Sequence, residues 1–268
     1  MNILQEIAKR TKARVEEEKR QVPLCRMIEM AREAKKEQGL EGLSFPFEAA
    51  LKSTDIAFIC EVKKASPSKG LIAKAFPYVE IAKEYERAGA AAISVLTEPD
   101  YFKGHNTHLQ EIAKEVSIPL LRKDFVVDEY MIYQGKVFGA SAVLLICSIL
   151  EERVLKEYIQ MAHSLGLSAL VEVHDEEEVQ MALGAGARII GVNNRDLKTF
   201  EVDVTLSERL RKLVPSNVLF ISESGIKSPE DVERMRKIGA QGVLIGESFM
   251  KVEDKYSEIN RLRGNPHG

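Results

Sequence analysis

Residues 88–98 read AGAAAISVLTE, and three later stretches repeat the plan: FGASAVLLICS at 138–148, AGARIIGVNNR at 185–195 and IGAQGVLIGES at 238–248. In each, a Gly-Ala pair precedes a short apolar run. Gly89, Gly139, Gly186 and Gly239 are separated by 50, 47 and 53 residues, too far for one βα unit and suited to two. Each glycine follows an amphipathic stretch such as YVEIAKEYERA or DVERMRKI, where a residue in the left-handed conformation closes a helix. The pairs therefore mark helix-to-strand junctions. Between them lie four further apolar runs: IAFICEV from 56, IPLLRKDF from 118, SALVEV from 168 and VLFISES from 218. Helical patterns such as EERVLKEYIQMAHSL and DEEEVQMALGA, apolar at spacings of three and four, separate the strands.

Eight strands alternating with helices predict a parallel sheet closed into an α/β (β/α)8 TIM barrel. An open doubly wound sheet competes, but no GxGxxG follows the first strand and no P-loop occurs. The 268 residues suit one barrel domain over 1–268. Within it, 1–50 form an N-terminal helical extension of two helices and a loop, GLSFPFEAAL, covering one end of the barrel. Charge runs there, such as VEEEKR, read as solvated helix faces.

Hydrophobic residues make up 45% and charged residues 29%, the balance of a globular chain. A net charge of -3 gives no global field for nucleic acid or an anionic membrane, while leaving room for a local anion pocket. Cys25, Cys60 and Cys147 lack CxxC spacing and read as reduced apolar fillers, with neither disulfide nor zinc site implied. The N-terminus has no h-region, and the longest apolar runs are too short to span a bilayer. A cytoplasmic protein is expected.

A barrel works at the C-terminal ends of its strands, and charge collects there. Glu61 and Lys63 end the first strand on one face; Arg122, Lys123 and Asp124 end the third, Glu172 the fifth, Asn193 and Arg195 the sixth, and Glu223 the seventh. Taken singly, any of these could close the barrel top as an ion pair. As a set over one apolar core, they suit a desolvated pocket in which lysine and glutamate act as acid and base. The seventh and eighth strands end in SESGI and IGES, small residues where phosphate commonly sits in barrels. Ser224, Gly225, Gly246 and Glu247, the last through its backbone, are the phosphate candidates. His105 and His108, in a polar loop, read as loop or cap residues rather than metal ligands.

FICEVKKASPSKGLI, LLRKDFVVDEYMIYQ, ALVEVHDEEE, IIGVNNRDLKTF, FISESGI and VLIGESFM together resemble the indole-3-glycerol phosphate synthase family of tryptophan biosynthesis, in order through nearly the whole chain. The resemblance implies conversion of 1-(2-carboxyphenylamino)-1-deoxyribulose 5-phosphate to indole-3-glycerol phosphate, carbon dioxide and water, with no metal or organic cofactor. It implies Lys123 as general acid, Glu172 in the acid/base step of dehydration, and Lys63 on the substrate carboxylate with Ser66 and Asn193 nearby. Glu61 orients the lysine, Arg195 and Glu223 complete the polar ring, and Phe102 and Phe125 flank the anthranilate ring. The partner is a small phosphorylated substrate, and a monomer is expected. Another phosphate-binding barrel, such as a sugar-phosphate isomerase or Schiff-base aldolase, and a catalytically silent phospho-ligand-binding barrel are the alternatives.

Overall fold

A computed structural model of the protein describes residues 3–37, 44–52, 55–196, 199–252 and 254–264. Among them, eight parallel strands close into a barrel: β1 (Ala57–Val62), β2 (Ala92–Leu96), β3 (Leu120–Lys123), β4 (Ala142–Ile146), β5 (Ser168–Val173), β6 (Ile189–Asn193), β7 (Leu219–Glu223) and β8 (Gly242–Ile245). Each pairs with its sequence neighbours, and β1 closes on β8 with Phe58 opposite Val243 and Cys60 opposite Ile245. All eight expected strands are present. Gly89, Gly139, Gly186 and Gly239 have φ of 81°, 87°, 87° and 74°, so the repeat seen in the sequence is the left-handed closure of the helix before each even strand.

Both faces of the strands are buried, which explains their nearly continuous apolar sequences. Outward residues such as Phe58, Val95, Val143, Val171, Phe220 and Val243 pack under the helices. Inward residues, among them Ile59, Leu121, Leu144, Leu170, Ile221 and Leu244, fill the barrel. The outer helices are α4 (Tyr78–Arg87), α5 (Asn106–Ile112), α6 (Glu129–Val137), α7 (Glu152–Ser164), α8 (Glu176–Gly184), α9 (Thr205–Arg211) and α10 (Pro229–Lys237). Several begin on side-chain caps: His105 accepts from Thr107 N at α5, and Asp175 caps α8. His105 is thus the cap residue its loop position suggested. Two further helices, α11 (Glu247–Lys251) and α12 (Lys255–Arg263), follow β8. Cys60 and Cys147 are buried as expected, but Cys25 is exposed and fills nothing.

The extension departs from its expected form. It holds α1 (Ile3–Gln21), α2 (Leu24–Glu37) and a third helix, α3 (Pro46–Lys52), inside the stretch taken for a loop. Residues 42–43 of that stretch lie outside the described residues. Pro46 suits a first helical position, and Phe47 and Leu51, one turn apart, are buried against the N-terminal end of the barrel. Leu4 and Ile7 of α1 instead join Phe125, Leu144 and Ile146 at the opposite end. Both ends are therefore covered. The 15–20 charge run is only partly solvated, since Glu18 accepts from Gln134 and Lys19 pairs with Asp128 at 2.7 Å, both on the α6 side. Among the described residues, no helix is long and apolar enough to cross a membrane.

A further ion pair, more deeply buried, ties α1 to the barrel. Arg14 Nη2 donates to both Asp124 oxygens at 3.0 Å, and Asp124, fully buried, also accepts from Thr97 Oγ1 at 2.7 Å and Phe125 N at 2.9 Å. Burial alone raises a carboxyl's proton affinity, but Arg14 and Arg122 outweigh it and hold Asp124 below its ordinary range. Arg14→Ala leaves this carboxylate short of a partner and is expected to cost about 2–3 kcal/mol in urea unfolding at neutral pH. Because the native pKa is depressed, that margin over the variant is complete above the ordinary aspartate range and shrinks as pH falls through the native value. Equal stability of the two proteins at pH 7 would refute the tether.

Candidate active site

The period of two along a strand carries each inward apolar residue to an inward polar one at the C-terminal rim. Ile59 leads to Glu61, Leu121 to Lys123, Leu170 to Glu172, and Ile221 to Glu223. The rim encloses a cavity of about 430 Å³. Glu61, Lys63, Lys123, Glu172, Asn193 and Glu223 all line it, as do Ser66, Phe102, Phe125 and Arg195 and the loop residues Ser224, Gly225, Gly246 and Glu247. Every candidate from the sequence therefore borders one space. Of the charges ending β3, Asp124 also reaches the cavity, whereas Arg122 is buried outside the barrel, donating to Met131 O at 2.6 Å and Gln134 Oε1 at 2.6 Å.

Lys123 is the hub. Its Nζ lies 2.6 Å from Glu223 Oε2 and 3.0 Å from Glu172 Oε2, with the lysine 13% exposed and the two carboxylates 2% and 3%. Burial disfavours its charge, but Glu172, Glu223 and Glu61 together outweigh this and raise its pKa, so the ammonium is the resting form. The same cation, with His174, keeps Glu172 below the usual carboxylate range in spite of its burial. Glu223 goes the other way: burial, with the nearby Glu172 and Glu61 charges, pushes it up to about 7 against the pull of Lys123. Three carboxylates around one lysine leave an excess of negative charge, and Glu223 is where it is relieved. Lys63 is hydrogen-bonded to Glu61, forming a second pair beside the first.

Glycines make room for these groups. A Cβ at Gly246 would overlap the Glu61 carboxylate, and one at Gly191 would overlap Glu223. Neighbouring amides and hydroxyls fix the carboxylates and loops. Asn193 helps keep Glu172 ionised, while its Oδ1 accepts from Ser224 Oγ at 2.9 Å and Arg195 N at 3.1 Å. Ser224 stands at φ 66°, rare for a side-chain-bearing residue. Its carbonyl accepts from Asn194 Nδ2 at 3.0 Å, which also donates to Ser222 at 2.9 Å. Asn194 was not foreseen; its position beside Asn193 at a strand end was the available signal.

Two other features lay outside the sequence reading. Ile3, Leu4 and Ile7 of α1 give the cavity an apolar wall. A short hairpin, Ala65–Ser66 paired with Gly70–Leu71, stands over the rim after β1. The rings of Phe102 and Phe125 are 6.0 Å apart. A third ring between them needs about 7 Å, two contact distances, so they form one aromatic wall rather than two flanks.

A closed parallel barrel with a lysine-glutamate cluster in a half-dry mouth has the make-up of a (β/α)8 enzyme, and such a cluster suits acid-base chemistry. The model of the family described as indole-3-glycerol phosphate synthase matches residues 4–262. Indole-3-glycerol phosphate synthase of Ruminiclostridium cellulolyticum is 54% identical over 98% of this chain and 99% of its own. That of Lachnoclostridium phytofermentans is 51% identical over 97% of this chain and 98% of its own. The chain belongs to the indole-3-glycerol phosphate synthase family. Solved structures at low identity share the fold alone: 3-hexulose-6-phosphate synthase from Salmonella typhimurium gives a TM-score of 0.65 at 13% identity, over 79% of this chain and 98% of that one.

The crowding at Gly246 generates a test. Gly246→Ala must displace the Glu61–Lys63 pair, whose atoms lie nearest the added methyl. Activity is expected to fall about tenfold or more, the scale of a misplaced catalytic or positioning group, with the thermal unfolding midpoint little changed. Full activity in this variant would show that the pair's position is not required.

Proposed function

We propose that the protein closes the indole ring: it converts 1-(2-carboxyphenylamino)-1-deoxyribulose 5-phosphate to indole-3-glycerol phosphate, carbon dioxide and water, as a carboxy-lyase of tryptophan biosynthesis. The observation that carries the reading is the ammonium of Lys123 held between Glu172 and Glu223 inside the cavity. Ring closure joins the carboxylate-bearing ring carbon to the substrate carbonyl carbon, and the carbonyl electrons move onto oxygen. Lys123 donates a proton to that oxygen as charge develops. The ring carbon then loses carbon dioxide, and the electrons of the broken bond restore the aromatic ring. Dehydration removes the new hydroxyl as water and a proton from the methylene carbon beside nitrogen, with Glu172 serving in this step.

The remaining assignments are proposed for residues that border the cavity. Lys63, backed by Glu61 and near Ser66, meets the substrate carboxylate. Ser224, Gly225, Gly246 and Glu247, the last by its backbone, seat the phosphate, and Lys69 and Lys227 also border the space. Arg195, Asn193 and Glu223 take the polar middle, and Phe102 and Phe125 the aromatic ring. Anchoring both ends folds a flexible chain into a reactive geometry, worth several kcal/mol at roughly the scale of such effects. A Schiff-base role for Lys123 is disfavoured, because an imine needs a neutral amine and three carboxylates here favour the ammonium. The chemistry calls for no metal or organic cofactor. A single barrel domain over 1–268, acting as a cytoplasmic monomer without nucleic acid or membrane partners, completes the proposal; the small net charge of -3 supports it.

The test supplies the substrate and follows indole fluorescence for the wild type and Lys123→Met. The wild type is expected to turn over, and the variant to lose about 10²–10⁴-fold while keeping its far-ultraviolet circular dichroism. An inert wild type would overturn the assignment; an active variant would remove Lys123 from its role.

A further inference from the structure

The ring closure proposed above, on which this inference rests, has a proton balance that the Lys123–Glu172 pair cannot meet alone. One proton goes to the carbonyl oxygen and a second to the departing hydroxyl, while one is returned from the methylene carbon. The substrate enters as a carboxylate and leaves as neutral carbon dioxide, so each turnover takes up one proton from solvent. Glu172 is 3% exposed and Lys123 13%, and a bound ligand filling the cavity would cover both from the mouth. The proton therefore needs another way in.

His174, directly after β5, supplies a connection. Its Nε2 lies 3.4 Å from Glu172 Oε1, the oxygen that Lys123 does not use, and its Nδ1 lies 3.2 Å from Glu178 Oε2 in the first turn of α8. Glu178 is held in place because the same Oε2 accepts from His174 N at 2.7 Å, and the Glu178 amide donates to Asp175 at 2.8 Å. His174 and Glu178 are 19% and 16% exposed, so the chain of groups runs from the dry carboxylate outward to partly wetted ones. Among the described residues Nε2 is buried without an aligned hydrogen bond; it stands near Glu172 without being locked to it. His174 does not line the cavity and took no part in the sequence reading.

We propose that His174 is a positioning residue that relays the solvent proton consumed in each turnover, from the Glu178 side to Glu172 Oε1. The charged groups acting on its ring are Glu178, Glu172 and Glu223, and against burial they favour the imidazolium. At rest Lys123 keeps Glu172 ionised. Once Lys123 has given its proton to the substrate oxygen, that hold is lost and the proton affinity of Glu172 rises. The His174 proton then passes to Glu172, which delivers it to the departing hydroxyl. Lys123 recovers the methylene proton, and solvent reprotonates His174. Every group ends as it began, with one proton drawn from water.

Single-turnover formation of indole, free of product release, tests the relay in His174→Gln and His174→Ala. Glutamine fills the site and hydrogen-bonds but carries no proton. Both variants are expected to slow about tenfold, less than the roughly 10²–10⁴-fold of a group acting on substrate directly. Free imidazole is expected to restore His174→Ala in proportion to its protonated fraction across pH 6–8 and to leave His174→Gln unchanged, and unaltered circular dichroism would confirm the fold. An unchanged rate in both variants, or a slowing of His174→Ala that imidazole does not relieve, overturns the relay. An inert wild type overturns the ring-closure reading itself, whereas an active wild type with either of those results sinks the relay alone.

Discussion

The structure turns on a charge imbalance kept out of water: three carboxylates, Glu61, Glu172 and Glu223, around Lys123, with Lys63 set beside Glu61. Isolated burial of any one of these ions would cost several kcal/mol, and pairing offsets that only when the geometry is close. The barrel provides the geometry. Strands β1, β3, β5 and β7 each end on an inward charge one residue pair above an inward apolar side chain, so the alternation that fills the core also aims the ions at one another. Space opposite them comes from glycine on the intervening even strands, at Gly191 and just beyond β8 at Gly246. Odd strands carry the charge and their neighbours yield room for it.

Such an arrangement stores reactivity in electrostatics rather than in strain. The ammonium is stabilised while the site is at rest, yet the carboxylates that stabilise it also compete for its proton. Glu223, pushed to about 7, marks how near the cluster is to accepting another proton. Moving one proton off Lys123 changes the affinity of each neighbour at once, because they share one poorly screened space. The protonation state of each side chain is then tied to that of its neighbours.

Much of this was legible in the sequence because it rests on short periods. A spacing of two puts Glu61 and Lys63 on one face, and a recurring Gly-Ala pair marks each left-handed helix end. Features depending on long-range docking were not. Leu4 and Ile7 belong to an amphipathic helix that could have covered any surface; their place on the cavity wall goes with long-range contacts such as Arg14 to Asp124 and Lys19 to Asp128. The helix Pro46–Lys52 has only seven residues, too few for a periodic signal, and its Pro46 resembled a loop residue. His174 and Asn194 follow strand ends, where a polar residue ordinarily serves as a cap, and only the fold shows which neighbours they meet.

The tether between α1 and β3 also bears on the order of assembly. Arg14 and Asp124 are 110 residues apart in the chain, so the seat of α1 lies far along the sequence from the helix itself. Closing so long a loop is slow relative to local pairing. By that rule α1 is expected to dock after the neighbouring strands pair, which completes the apolar wall of the cavity last. The contacts that hold the helix there, Arg14–Asp124 with Lys19–Asp128 and Glu18–Gln134, span 109 to 116 residues of sequence.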